Sequence, residues 1–109
     1  MREAVNCLYR ADTLIAYITT DLDHHVARRV REEIDHNMFL YRPSQLVLDF
    51  SSVGFMDSSA LALILGRAEV ARELGASVRL VGLSPLHKRL VRLGGLDRIE
   101  HISIATDDK

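Results

Sequence analysis

An acid and two hydroxyl side chains stand together at Asp57, Ser58 and Ser59, directly before a run of apolar residues. The periodicity of that run predicts a helix, so the three side chains fall at its N-terminus. There a carboxylate or hydroxyl oxygen can accept hydrogen bonds from backbone N–H groups that have no partner within the helix. The same helix end tolerates an added phosphate, because its dipole favours negative charge. Capping, nucleophilic catalysis and modification are therefore the chemical roles to weigh.

Catalysis by Ser58 is the weakest of these interpretations. A serine nucleophile needs a general base and an orienting acid that converge on it. The chain has five histidines, but nothing in the sequence places one beside Ser58, and no G-x-S-x-G nucleophile motif is present. We therefore predict that the protein is not an enzyme. Capping alone and modification of Ser58 both stay open.

Two adjacent histidines, His24 and His25, follow Asp23 and raise the question of a metal site. Side chains of adjacent residues diverge on a helix, and no Cys or His lies at a typical ligand spacing from either ring. The simpler interpretation is the exposed first turn of a helix that Asp23 caps, with side chains free to make contacts. We predict neither a metal nor a cofactor.

A second basic group lies on a later predicted helix, at His87, Lys88, Arg89 and Arg92. Such a group is most often a solvated helix face, although it can also steer an acidic partner. No glycine-rich phosphate loop of the P-loop or dinucleotide type is present.

The composition limits the class of protein. The 109 residues, 48% of them apolar, fit a single domain over residues 1–109. The net charge of −1 argues against general binding of nucleic acids or anionic membranes, since both need a basic excess. Cys7 is the only cysteine, and the N-terminus lacks the apolar core of a signal peptide. The longest apolar run, residues 60–65, is far shorter than the roughly 20 residues of a membrane helix. We predict a soluble cytoplasmic protein.

The apolar patterns also predict the elements that position these side chains. Strands are expected at residues 5–9, 13–19, 46–50, 78–81 and 99–104. Helices are expected after caps at Asp23, at Asp57 or Ser58, and at Ser84. The almost continuous apolar run at 46–50 is typical of a central parallel strand that is covered on both faces. The order of elements predicts an α/β fold, with helices packed against a mixed, mostly parallel sheet.

Each predicted helix has an expected buried face, which the apolar spacing defines. On the second helix Arg67 is expected to lie away from that face. The expected core residues of the three helices are, in order, Val26, Val30, Ile34 and Met38; Leu61, Ile64, Leu65, Ala68, Ala71 and Leu74; and Leu86, Leu90 and Leu93.

Three stretches resemble one family. LVLDFSSVGFMDSSALALILGR resembles the signature of STAS domains, the anti-sigma factor antagonist family. DLDHH before the first helix and SPLHKRLVRLGGLDRI after the fourth strand are similar to the sporulation branch, whose members antagonise the anti-sigma-F factor. The three motifs agree with the family in order and spacing, and together they cover residues 21–99. General-stress antagonists share the Asp-Ser centre but resemble the flanking motifs less.

The resemblance implies partner switching. The unmodified antagonist binds an anti-sigma factor that is also a serine kinase, and this binding releases the sigma factor. The kinase uses ATP to phosphorylate the antagonist, which then no longer holds it, and a separate serine phosphatase restores the active form. No direct contact with nucleic acid or membrane is implied. A general-stress module or a nucleotide-sensing STAS domain is the alternative, because some STAS domains are thought to bind nucleotides.

By the motif match, the phosphorylated residue is Ser58. The resemblance also implies a partner-binding surface around it and around the first helix cap, formed by Asp23, His24, Asp57, Ser58, Ser59 and Ala60.

The chain departs from the family pattern in three places. Ala60 and Ala62 stand where the family usually has glycine, and alanine favours a helix by about 0.8–1 kcal/mol per interior position. The methyl group of Ala60 is expected close to Ser58, where a partner must approach. The family also commonly carries a C-terminal helix, whereas this sequence ends at Thr106–Lys109, so one face of the sheet is expected to be less covered.

Overall fold

The computed structural model describes residues 3–105, which form five strands and three α-helices around one sheet. In chain order the elements are β1 (Val5–Arg10), β2 (Thr13–Ile18), α1 (His24–Tyr41), β3 (Gln45–Asp49), α2 (Ser58–Glu73), β4 (Ser77–Val81), α3 (Pro85–Leu93), a 3₁₀ turn (Leu96–Arg98) and β5 (Ile102–Ile104). The strands lie side by side in chain order. β1 and β2 are antiparallel and every other pair is parallel, so the predicted α/β fold is confirmed.

Short-range signals in the sequence mark the ends of several of these elements. Ala11 and Asp12 connect β1 to β2 and both have positive φ, as a two-residue type I′ hairpin requires. Gly75 follows α2 with φ 77°, the left-handed conformation that ends helices at little cost for glycine. Ser84 caps α3 and Pro85 is its first residue. The last strand is shorter than predicted, because residues 99–101 form a turn, in which the N–H of Ile102 donates to the carbonyl oxygen of Ile99 at 3.0 Å, and β5 begins only at Ile102.

Helices α1 and α2 pack against each other and cover one face of the sheet. Nine strand side chains on that face are buried: Val5, Leu14, Ala16, Ile18, Leu46, Leu48, Val78, Leu80 and Ile102. On the opposite face every described strand side chain stays at least partly exposed, including Ile15, Tyr17 and Val47. The prediction that the 46–50 strand is covered on both faces is therefore wrong. The predicted role of the chain's C-terminus concerns Thr106–Lys109, which lie outside the described residues.

The predicted buried faces of α2 and α3 are right only in part, since Ile64, Ala68 and Ala71 are buried as expected but three of the predicted leucines are exposed. On α2 the buried stripe is Ala60, Leu63, Ile64, Arg67, Ala68 and Ala71, and Leu65 is 43% exposed. Because α2 packs against α1 as well as the sheet, its buried stripe is rotated by about one residue from the predicted line. On α3 the buried residues are His87 and Val91, whereas Leu86 and Leu93 are 69% and 79% exposed. His87 therefore does not belong to an exposed basic face.

No helix within residues 3–105 is long and apolar enough to cross a lipid bilayer.

Candidate functional site

At the start of α2, the residue that caps the helix is not the serine that follows it. Asp57 is the N-cap, and its Oδ1 accepts a hydrogen bond of 2.8 Å from the backbone N–H of Ser59. The backbone N–H of Ala60 donates to the carbonyl oxygen of Asp57 at 2.9 Å. Ser58 is the first residue of the helix and is exposed. Its hydroxyl is thus presented to solvent at the positive end of the helix dipole, while a neighbour supplies the cap.

The start of α1 has the same arrangement. Asp23 is the N-cap, and its Oδ1 accepts a hydrogen bond of 2.9 Å from the N–H of Val26. This bond favours the ionised carboxylate and lowers the pKa of Asp23 below its ordinary value. His24 and His25 are the first two helical residues, are exposed, and hold their rings edge to face at 5.7 Å between centroids.

A single parallel bridge between Leu22 and Met56 brings the two helix starts together. The backbone N–H of Leu22 donates to the carbonyl oxygen of Phe55 at 2.8 Å, and both Leu22 and Met56 are buried. Each bridge residue directly precedes a capping aspartate, so the bridge fixes Asp23 next to Asp57. The predicted site residues from the two motifs therefore lie at one edge of the sheet, although 34 residues separate the caps in sequence.

Asp21, two residues before the first helix cap, positions the loop that precedes Ser58. Its Oδ1 accepts hydrogen bonds of 3.0 Å from the backbone N–H groups of both Gly54 and Phe55. It thereby ties the loop that leads to Ser58 to the loop that leads to α1. The signal in the sequence was the Asp-x-Asp spacing of Asp21 and Asp23, in which only the second acid caps the helix.

The other predicted site residues differ in exposure. Ser59 is half-buried, whereas Ala60 is completely buried in the core. The methyl group of Ala60 therefore points away from the surface, and a direct contact between it and a docked partner does not fit this position. Ala62, the second departure from the family pattern, is exposed on α2.

Two of the histidines, His87 and His101, have their rings elsewhere in the fold. Nε2 of His101 lies 2.7 Å from the carbonyl oxygen of Ala68, about 15 Å along α2 from Ser58 at 1.5 Å per residue. His87 is buried on the inner face of α3. Within residues 3–105, no three or more His, Cys, Asp or Glu side chains are grouped to hold a metal ion.

Known proteins that resemble this chain have the same kind of domain. The STAS domain family model matches residues 5–108. The anti-sigma F factor antagonist of Paenibacillus polymyxa is 33% identical over 86 residues, which are 79% of this chain and 74% of that protein.

Two solved structures have the same fold. The unphosphorylated form of the anti-sigma factor antagonist SpoIIAA superposes with a TM-score of 0.79 and 25% identity, over 95% of this chain and 90% of that one. The phosphorylated form of the Bacillus cell fate determinant SpoIIAA gives a TM-score of 0.72 at 25% identity, over 95% and 93% of the two chains. The chain therefore belongs to the STAS domain family, among the anti-sigma factor antagonists.

Proposed function

We propose that this protein binds an anti-sigma factor that is also a serine kinase, that this binding releases the sigma factor, and that phosphorylation of Ser58 ends it. The switch would operate in the cytoplasm, where the kinase has ATP and the sigma factor has RNA polymerase. A relative named as an anti-sigma F factor antagonist and a SpoIIAA structure in a phosphorylated form support the proposal. The sporulation pathway is the assignment that these relatives favour.

The observation that carries the proposal is that, at the start of α2, one residue caps the helix and a different residue offers the exposed hydroxyl group. Asp57 caps the helix, so the exposed hydroxyl of Ser58 can be modified without the loss of a capping hydrogen bond. The kinase would transfer the γ-phosphoryl group of ATP to Oγ of Ser58, with ADP as the leaving group and the hydroxyl proton passing to a base of the kinase. A separate serine phosphatase would hydrolyse the phosphoserine. In this scheme the protein is a substrate and a ligand, not an enzyme.

The same geometry explains why phosphorylation would act on the partner rather than on the fold. A phosphate on Ser58 adds about −1.5 to −2 charges at the positive end of α2, where the helix itself tolerates them. Asp57, Asp23 and Asp21 already make this end of the molecule acidic. A partner docked over Ser58 would meet both the bulk and the charge of the phosphate, and its affinity would fall.

The experiment is incubation with the cognate anti-sigma kinase and ATP, followed by mapping of the phosphate by mass spectrometry. Ser58→Ala and Ser59→Ala are the matched controls. We expect one phosphate, on Ser58, in the wild type and in Ser59→Ala, and none in Ser58→Ala. A phosphate on Ser59 alone, or no phosphate at all, would contradict the assignment. Pull-downs with each anti-sigma factor of the host would separate the sporulation assignment from a general-stress one.

A further inference from the structure

A groove of about 940 Å³ runs between α1 and α2, beginning at the two helix starts described above. His24 and Ser59 lie at its mouth, next to Asp23 and Ser58. Gly66 and Arg67 line it about two turns further along α2. The groove is therefore continuous with the surface on which we place the partner.

Small residues on α2 keep the groove open. Ser59, Ala62 and Gly66 follow each other at i, i+3 and i+7, so they share the helix face that looks into it. A Cβ atom built on Gly66 would meet no atom within 4 Å. The space between the helices is therefore unfilled at this point.

The ionisable side chains that line the described part of the groove are all basic or imidazole groups: His24, His25, Arg28, Arg29, Arg31 and Arg67. Arg28 also contacts Glu32, with Nε and Oε2 3.6 Å apart, but this pair is highly exposed and contributes little. The four arginines that line the groove outnumber the two acids that contact them, Glu32 and Asp35, and this basic excess attracts a negatively charged ligand.

Arg67 adds a second, independent sign of an unfilled site. Its side chain is only 6% exposed, and its Nη1 has no hydrogen-bond partner within residues 3–105. Nε of Arg67 lies 2.7 Å from Oδ1 of Asp35. Burial raises the pKa of Asp35 despite the nearby guanidinium and lowers the pKa of Arg67, so burial opposes the charge on both groups. A buried guanidinium nitrogen without a partner is costly, and an incoming carboxylate would satisfy it.

We propose that this groove docks an acidic segment of the anti-sigma partner, whose carboxylates meet Arg28, Arg31 and Arg67. The inference rests on the proposed function. It adds that the partner carries an acidic segment, which the Ser58 surface alone does not specify. The basic groove begins beside Ser58, so the acidic segment of the partner would lie next to this serine, where an added phosphate would repel it. This arrangement would fix the orientation of docking as well as its rate.

The test is the affinity of the cognate anti-sigma factor for three variants, measured as association and dissociation rates at low and high salt. In the first, called the reversed variant, Arg28→Glu with Arg31→Glu reverses the charge of two of the four groove arginines and so cancels their net charge. In the second, Gly66→Leu, the groove is filled without a change of charge, and the helix is not weakened because leucine is the better helix former. The control, Arg10→Glu with Arg79→Glu, makes the same change of net charge on the open face of the sheet.

We expect the reversed variant to lose about tenfold or more in affinity, chiefly through slower association, together with most of the salt dependence. Gly66→Leu should also bind more weakly, through faster dissociation, whereas the control should bind like the wild type. Equal binding by all variants, with the wild type still bound and phosphorylated at Ser58, would overturn the groove and leave the proposed function intact. A wild type that neither binds nor is phosphorylated would overturn the proposed function and the docking with it.

A small anion is the competing occupant, and inorganic pyrophosphate is the probe for it. Chemical-shift changes confined to the groove on titration with pyrophosphate, combined with unchanged partner affinity in all variants, would overturn the docking proposal in favour of a small-anion site. If pyrophosphate instead weakens partner binding to the wild type but not to the reversed variant, the docking proposal is supported.

Discussion

A serine stands at the start of α2 and another at the start of α3, and the two serines have different structural roles. At α3 the serine is the cap: Oγ of Ser84 accepts a hydrogen bond of 3.1 Å from the N–H of His87. At α2 the cap is Asp57, and Ser58 is the first residue inside the helix. A phosphate on Ser84 would change the group that holds its helix start, whereas one on Ser58 would leave the Asp57 cap in place. A serine just after a capping aspartate is therefore suited to reversible modification, and a capping serine is not.

The largest effect is expected when Ser58 itself carries a negative charge. Ser58→Asp should weaken binding of the anti-sigma factor by about a hundredfold, because a like charge inside an interface costs several kcal/mol. Ser58→Ala should bind within a few-fold of the wild type. Calorimetric titration of the two variants checks this, and circular dichroism should report the same fold for both. Equal affinities would contradict a switch that works through charge.

A smaller effect separates the capping residues from Ser58 without any partner. Asp57→Ala and Ser84→Ala should each lower the free energy of unfolding by about 1 kcal/mol, because each removes the acceptor at a helix N-terminus. For a domain of this size, that loss shifts the melting temperature by about 4–8 °C. Ser58→Ala should change it by less than about 0.5 kcal/mol. Thermal unfolding of the three variants measures these differences. A large loss of stability in Ser58→Ala would mean that the hydroxyl of Ser58 has a structural role.

The smallest expected effect concerns acid stability at the α1 cap. The folded state lowers the pKa of Asp23, so the ionised cap stabilises the protein above the ordinary aspartate pKa, and this stabilisation is lost as the pH falls through the folded-state pKa. Asp23→Asn keeps a capping oxygen but cannot titrate. Urea unfolding as a function of pH should therefore show a shallower loss of stability in Asp23→Asn than in the wild type below that range. Identical pH profiles would show that the cap does not contribute in this way.

Much of this arrangement can be predicted from sequence because it depends on short-range chemistry. The capping aspartates, Ser84-Pro85 and the glycine after α2 act within a few residues, and strand spacing gives the order of the elements. The buried faces of α2 and α3 could not be predicted in the same way. Apolar residues surround α2 at Leu61, Leu63 and Leu65, so the spacing alone does not select one face.

The remaining features depend on contacts between residues far apart in the chain. Arg67 is buried against Asp35 of α1, 32 positions earlier, and periodicity places any arginine on the surface. The bridge of Leu22 to Met56, which brings the two caps together, likewise has no local signal. Only the fold shows that a groove lined by arginines begins beside Ser58.

The most direct test of the central claim compares the unmodified protein with the same protein after phosphorylation by its kinase. Both forms would be purified, and two quantities would be measured for each: the affinity for the anti-sigma factor and the midpoint of thermal unfolding. The account predicts that the phosphorylated form loses its affinity while its unfolding midpoint stays within a few degrees of the unmodified form. A phosphorylated form that binds as tightly as the unmodified one, or that loses binding only because it unfolds, would contradict it.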